Sequence, residues 1–260
     1  MSIIEVDAQA CALCGMCAAV CPAGCIGSDA EGLPYEKDGA SCIACGHCVA
    51  VCPHEALQNS KLPEEPELLV SQDRPTPEAM ANLVLARRSV REFTSDPVDP
   101  AVLAGLLDVA RRSPTAVNSQ HVGWIACCDP ARTRATATAC AAWMKSSGLM
   151  PRYAERWDQG EEVVLRGAPA FVLAHAPADY GWGATDCAIA LAALEFLAVT
   201  SGLGTCWAGL LTRGVANDLA VARAVQLPAG HVVHGGLMLG HPKYSYRAIP
   251  PRKPLSAIWL

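Results

Sequence analysis

The stretch "CALCGMCAAVCPAGCI" (11–26) returns thirty-one residues later as "CIACGHCVAVCPHEAL" (42–57), with eight of sixteen aligned positions identical. Each copy reads C-x2-C-x2-C-x3-C-P, through Cys11, Cys14, Cys17 and Cys21 before Pro22, then Cys42, Cys45, Cys48 and Cys52 before Pro53. Nine of the 14 cysteines fall in the first 52 of 260 residues. Such self-similarity marks an internal repeat, so the N-terminal segment is two versions of one cysteine comb.

Three chemistries compete for the combs. Disulfides need an oxidising compartment, and "MSIIEVDAQAC" shows no basic region followed by an apolar run of the secretory kind. Zinc sites present two ligand pairs around one tetrahedral ion and have no use for a thiolate at every third residue. A [4Fe–4S] cube does, because three thiolates on one tight loop wrap one face and a fourth arrives from elsewhere. The spacing is the bacterial ferredoxin signature, in which the fourth cysteine serves the other cluster. Residues 1–57 therefore resemble a two-cluster bacterial-type ferredoxin, pseudo-twofold and α+β. The resemblance assigns Cys11, Cys14, Cys17 and Cys52 to one cluster, and Cys42, Cys45, Cys48 and Cys21 to the second. Cys25 aligns with Ala56 and is expected to be a small buried residue beside a cluster. His47 and His54 are expected to be exposed non-ligands.

Charge is uneven. Residues 1–60 hold seven acids and one base, Lys37, while the rest carries 18 acids and 19 bases. An acidic head on a neutral body argues against nucleic acid, which would want a basic face; it fits docking to a basic protein surface, with an ordinary solvated acidic face as the alternative. With 52% hydrophobic and 17% charged residues the chain can bury a core. The longest apolar stretch, "CAIALAALEFLAVTSGLGTCWAGLL", carries Glu195 in its middle. A charge there costs about 2.5–3.5 kcal/mol in a bilayer, so a buried helix over 184–201 is expected, with no membrane partner and a cytoplasmic location.

"QNSKLPEEPELLVSQDRPTPEAM" (58–80) is rich in Pro and Glu without apolar periodicity and marks a boundary. The expected organisation is a head over 1–60, a linker over 61–76 and a body over 77–260. In the body, Thr76-Pro77, Asp99-Pro100 and Asp129-Pro130 read as helix starts with proline in the first turn. "VLAGLLDVARR" (102–112) has helical apolar spacing, and "GWIACC" (123–128), "AFVLAHA" (170–176) and "HVVHGGLMLG" (231–240) read as strands. Helices alternating with strands give an α+β sandwich.

Two body motifs bear chemistry. "ARRSVREF" (86–93) brings three guanidinium groups and a hydroxyl together where a helix should end. That set suits a phosphate, each charge-assisted bond being worth about 1.5–3 kcal/mol. It also suits a simple basic complement to a helix C-terminus. "RRSPTAVNSQHVGW" (111–124) is a polar loop before a strand, and its amides offer both donor and acceptor, as the edge of a flavin pyrimidine requires; an ordinary polar turn is the alternative.

Together these motifs resemble the nitroreductase family, as do "GLGTCWAGLL" (202–211) and "GGLMLGHPKYSYRAIPPRKP" (235–254). A ferredoxin head on such a body resembles the ferredoxin-type subgroup. The resemblance implies that Arg87, Arg88, Ser89 and Arg91 bind the FMN phosphate and ribityl chain. It implies that Thr115, Asn118 and Gln120 hold the ring edge or ribityl chain, and that backbone amides around Ala208 and Gly209 face N5. By the same resemblance, Arg252 and Lys253 would return to the phosphate. The chain departs from the pattern at His121, where many relatives have Pro, and at Ala208, where some have an acid. The resemblance also implies a homodimer sharing the FMN site and a small acceptor: a nitroaromatic, quinone or activated alkene. NAD(P)H is an expected donor by the same resemblance, whereas the clusters suggest a ferredoxin-like protein donor.

No obligatory catalytic side chain is identified. Tyr180, Trp182, Trp143 and Tyr153 are expected to pack, as are Cys127, Cys128, Cys140, Cys187 and Cys206. "GLGTCW" has Trp207 where a third glycine should stand, so a Rossmann nicotinamide site is not expected. The rival reading is an electron-transfer or redox-sensing protein without small-molecule turnover. An enzyme acting on flavin itself is a third.

Overall fold

The computed structural model describes residues 2–64, 66–69 and 74–260. Glu65 and residues 70–73, within the expected linker, lie outside them. By backbone contacts the chain divides into one unit of Met1–Arg74 with Val117–Ser119, and another of Pro75–Ala116 with Gln120–Leu260.

The first unit repeats itself in its backbone. Strand β1 (Ile4–Val6) pairs antiparallel with β4 (Leu57–Asn59), and β2 (Ile26–Ser28) with β3 (Pro34–Glu36). Between them lie two four-residue helices, α1 (Met16–Ala19) and α2 (His47–Ala50), each entered through a left-handed glycine, Gly15 (φ 69°) and Gly46 (φ 74°). Leu13 and Ala44 share positive φ, and so do Gly24 and Glu55; the repeat therefore extends to conformations that a side chain normally avoids. Its apolar core is small: Ile4, Cys25, Ile26, Cys48 and Leu57 are the buried members.

The second unit is a four-stranded antiparallel sheet in the order β5-β6-β8-β7. Its strands are β5 (Gly123–Cys127), β6 (Ala170–Pro177), β7 (Gly204–Trp207) and β8 (His231–Gly240). Helix α3 (Pro77–Ala86) and then α4 (Pro100–Ala110) precede the sheet; α5 (Pro130–Ser147) and α6 (Pro151–Asp158) follow β5. Helix α7 (Gly183–Thr200) follows β6, and α8 (Gly209–Asn217) and α9 (Leu219–Ala224) follow β7. Thr76, Asp99 and Asp129 cap α3, α4 and α5 by accepting a backbone N–H, each with proline in the first turn. That is the signature read from the sequence.

Period-two alternation along β6 divides the core. Phe171 and Leu173 pack with residues of α5, α8 and α9, whereas Ala170, Val172, Ala174 and Ala176 pack with residues of α4 and α7. Covered on both faces, β6 is buried from Ala170 to Ala176 and apolar but for His175. Two glycines permit the close packing. A Cβ on Gly204 would lie 2.8 Å from Val90, and one on Gly235 2.8 Å from Leu191 and Trp207.

Helix α7 is the one described helix long and apolar enough to cross a membrane. It buries a single stripe at helical spacing, from Gly183 through Asp186, Cys187, Ala190, Leu191, Leu194 and Glu195 to Ala198. Glu195 sits among core residues because it is paired. Its Oε1 accepts from Arg87 Nη1 at 3.2 Å and from the Thr205 hydroxyl at 3.1 Å. Breaking a buried pair costs about 3–5 kcal/mol. Because 23% of the Arg87 side chain stays exposed, Glu195→Ala is expected to cost about 2–3 kcal/mol, read as a lowered urea midpoint.

At the end of β6, His175 Nδ1 lies 2.8 Å from His231 Nδ1. Burial, and then the neighbouring imidazole, hold His175 below the ordinary histidine range. The folded state thus binds its proton more weakly than the unfolded chain, whose histidines titrate near 6.5. This contribution to stability is present above that pH and is lost as acid protonates the unfolded chain. Thermal melts are expected to show Tm falling from pH 7 to pH 5.5, with a shallower slope in His175→Gln.

Candidate cofactor sites

The comb cysteines line two cavities. Cys11, Cys14, Cys17 and Cys52 surround one, with Val6, Pro34 and Leu57 among its walls. Cys21, Cys42, Cys45 and Cys48 surround the other, with Cys25, Ile4, Ile26 and Asn59. All nine cysteines of this unit are free thiols. In each cavity the fourth cysteine comes from the other comb, because each short helix carries its last cysteine away from its own loop. Among the described residues no three His, Cys, Asp or Glu side chains gather around one ion position.

The thiols sit in donor-rich surroundings. The Cys25 N–H donates to Cys21 Sγ at 3.2 Å, and the Ala56 N–H to Cys52 Sγ at 3.3 Å. Burial alone would push the Cys21 thiol up, but the N–H groups of Cys25, Ala23 and Gly24 bring it below the usual cysteine value. Burial raises Cys17 and Cys48 and pushes Cys25 up to about 11. His47 and His54 are exposed.

In the second unit, the segment carrying Arg87, Arg88, Ser89 and Arg91 runs beside β7. Ser89 bridges Thr205 in parallel fashion, and the Val90 N–H donates to the Thr205 carbonyl at 2.8 Å. The four polar residues are not equivalent. Arg87 devotes one nitrogen to Glu195. Arg88 Nη1 donates to the Arg87 carbonyl, yet its Nε is buried with no partner. Arg91 lies on the wall of a cavity of about 420 Å³ with Arg166, Arg213, Trp207, Gly209 and Met238. Buried polar groups are nearly always paired, so the unsatisfied Arg88 nitrogen fits an anion such as a phosphate, and so do the three arginines that line the cavity.

A correction concerns the turn into α8. The Ala208 N–H donates to the Gly236 carbonyl at 2.8 Å and Ala208 is fully buried, so its amide cannot face a ligand. Gly209, exposed and first in α8, has one of the N–H groups that helices leave unpaired.

The polar loop is held in strained geometry: Val117, Asn118 and Gln120 all have positive φ. The Gln120 N–H donates to Thr115 Oγ1 at 3.0 Å. The Ala116 N–H donates to both carboxylate oxygens of buried Asp186, which also accepts from the Tyr180 hydroxyl at 2.6 Å. His121 stacks edge-on against Tyr180 at 4.7 Å. Asn118, grouped with the first unit, donates its Nδ2 to the Ile43 and Ala44 carbonyls at 3.1 and 3.0 Å. Arg252 and Lys253 are exposed in a segment after β8 that has no helix or strand, and they do not line the cavity that Arg91 lines.

Trp143 is buried and Tyr153 packs against the same core, with Tyr153 also on the arginine-lined cavity. Trp182 is 59% exposed rather than packed. Cys127, Cys140, Cys187 and Cys206 are buried and Cys128 is half-buried; burial pushes Cys140 and Cys187 up to about 12. A larger cavity of about 550 Å³ lies among Pro130, Thr133, Trp157 and Leu165 and contains none of the motif residues. Asn59, Arg166, Arg213 and Asp186 were missed by sequence reasoning. Asn59 alone left a trace, as the polar mismatch to Ser28 within the repeat.

A thiolate-lined unit followed by a helix-covered antiparallel sheet with an arginine-lined cavity is the build of a redox protein. Residues 84–241 match the nitroreductase family, and residues 10–57 match the 4Fe–4S dicluster domain. The chain belongs to the nitroreductase family, and is an oxidoreductase with an N-terminal 4Fe–4S domain. Solved structures share the fold. A nitroreductase with bound FMN from Bacteroides fragilis is 21% identical over 68% of this chain and 94% of its own, at a TM-score of 0.55. One from Desulfitobacterium hafniense, also with bound FMN, is 18% identical over 69% and 97%, at 0.59. The FMN and NADPH-dependent nitroreductase NfnB from sphigopyxis sp. strain HMH is 22% identical over 66% and 94%, at 0.53.

Proposed function

We propose that this chain is an FMN-dependent reductase of small acceptors, namely nitroaromatics, quinones or activated alkenes, supplied with electrons through two [4Fe–4S] clusters. The observation that carries the reading is the pair of crossed thiolate quartets on a chain whose other unit is a nitroreductase domain. Cys11, Cys14, Cys17 and Cys52 would hold one cluster, and Cys21, Cys42, Cys45 and Cys48 the other. When bound, FMN supplies hydride chemistry that no side chain here can provide.

The chain's own residues bind and orient. Arg88 and Arg91 neutralise the phosphate, with Arg87 contributing donors left over from Glu195. The Gly209 N–H and the strained Thr115–Gln120 loop address the ring. Asp186 and Tyr180 hold that loop from behind, so its amides are fixed before any ligand arrives. A cavity of about 420 Å³ lined by three arginines together with Trp207, Leu210 and Met238 suits a small-molecule site. It favours an enzyme over a carrier that turns nothing over.

The same reading includes a homodimer. Met80, Val84 and Leu85 on α3, Ile189 on α7, and Leu255, Ile258 and Trp259 in the C-terminal segment are exposed. A second copy would cover this apolar surface and would bring Arg252 and Lys253 to the phosphate. The deciding experiment is anaerobic: NADH, NADPH and reduced ferredoxin are added in turn while the visible spectrum is followed. Bleaching by a nicotinamide identifies a self-sufficient reductase; bleaching only by reduced ferredoxin makes the cysteine unit the entry port. A purified protein with iron and no flavin would sink the FMN assignment.

A further inference from the structure

We infer that the two clusters rest at unequal potentials and that Asn59 sets the difference, by directing its side-chain amide at the thiolates of Cys42 and Cys48. This rests on the crossed-quartet reading above. The pseudo-twofold repeat makes each half of the unit a control for the other, so only features present on one side can separate the clusters.

Most features cancel. Both combs have the left-handed glycine and the short helix. Asp7 accepts backbone N–H groups just before Cys11, and Asp38 does the same before Cys42. The N–H to sulfur bond on the last cysteine is matched at 3.2 and 3.3 Å.

Asn59 does not cancel. It is 9% exposed, and its Nδ2 lies 3.8 Å from Cys42 Sγ and 3.9 Å from Cys48 Sγ. Its orientation is fixed, because Oδ1 accepts the Lys61 N–H at 3.0 Å, which turns the amino end toward the sulfurs. The repeat places Ser28 at the matching position, where it is exposed and does not line the other cavity. One further difference acts in the same sense. Lys61 Nζ donates to the carbonyls of Gly39 and Cys42 at 2.9 and 3.1 Å, and its counterpart is Ala30.

Reduction adds one negative charge to a cluster, and hydrogen bonds to sulfur and nearby positive charge stabilise that charge. The Cys21/Cys42/Cys45/Cys48 cluster is therefore the higher in potential. A single electron entering this unit comes to rest there, leaving the other cluster oxidised, with no bond or proton exchanged.

The test is a dithionite titration of the full-length holoprotein followed by EPR. Two resolved potentials are expected. Asn59→Ser lowers the higher one by about tenfold in the reduction equilibrium, 59 mV for a one-electron couple, and leaves the lower one and the iron content unchanged. Lys61→Gln, a surface change, lowers the same potential by less, and its effect shrinks with salt; it decides the matter if Asn59→Ser loses iron. Full iron content with the lower potential moved, both moved together, or neither moved in the variant that decides overturns the inference. Wild-type protein short of two clusters' iron overturns the quartet reading instead.

Discussion

Cys52→Ala removes half of the iron, and the half it removes belongs to the first comb. The crossed quartets make this outcome specific. Adding Cys14→Ala to Cys52→Ala costs little more iron, because both residues line the same cavity. Adding Cys45→Ala instead removes nearly all of it, because Cys45 lines the other. Ligation within each comb predicts the reverse, so iron analysis of the two double variants separates the arrangements. The effect on folding is large as well. Five buried residues and three-residue strands cannot stabilise a unit of this size alone. In such units metal binding supplies the folding free energy, and circular dichroism of the iron-free double variant should show the N-terminal unit unfolded while the second unit persists.

Arg88→Ala is expected to weaken FMN binding by roughly 10- to 100-fold, as the loss of a charge-assisted bond worth about 1.5–3 kcal/mol dictates. Arg88 is singled out because its Nε is buried and unpaired in the protein alone, whereas Arg87 is partly committed to Glu195. Arg87→Ala should therefore lower thermal stability together with flavin affinity, and Arg88→Ala chiefly flavin affinity. Flavin retained after gel filtration, read beside Tm, checks both. Equal loss of Tm in the two variants would make Arg88 a structural residue.

Those two expectations draw on different levels of the molecule. The combs were legible because cysteine spacing is local: a C-x2-C-x2-C loop fixes three thiolates whatever surrounds it, and two copies at one offset declare the repeat. The caps at Thr76, Asp99 and Asp129 and three of the four strands of the sheet were legible for the same reason, since capping and period-two burial act within a few residues; the short β7 (Gly204–Trp207) was not. The long helix over 184–201 was legible from its apolar run, yet Glu195 at its centre marked only what the helix was not.

Long-range pairing alone decided the rest. Glu195 is accommodated by Arg87, 108 positions earlier in the chain, and Asp186 anchors a loop 70 positions away. Arg166 and Arg213 line the same cavity as Arg91 although neither belongs to a motif. The Ala208 amide is consumed by Gly236, which no reading of "GTCWAG" could reveal. Asn59 faces the sulfurs because β4 pairs with β1 and the Lys61 N–H takes its oxygen. Local spacing specifies which groups can hold iron and anions. Which hydrogen bonds those groups have left to give is set by partners distant in sequence, and only the folded chain brings them within three ångströms or so of one another.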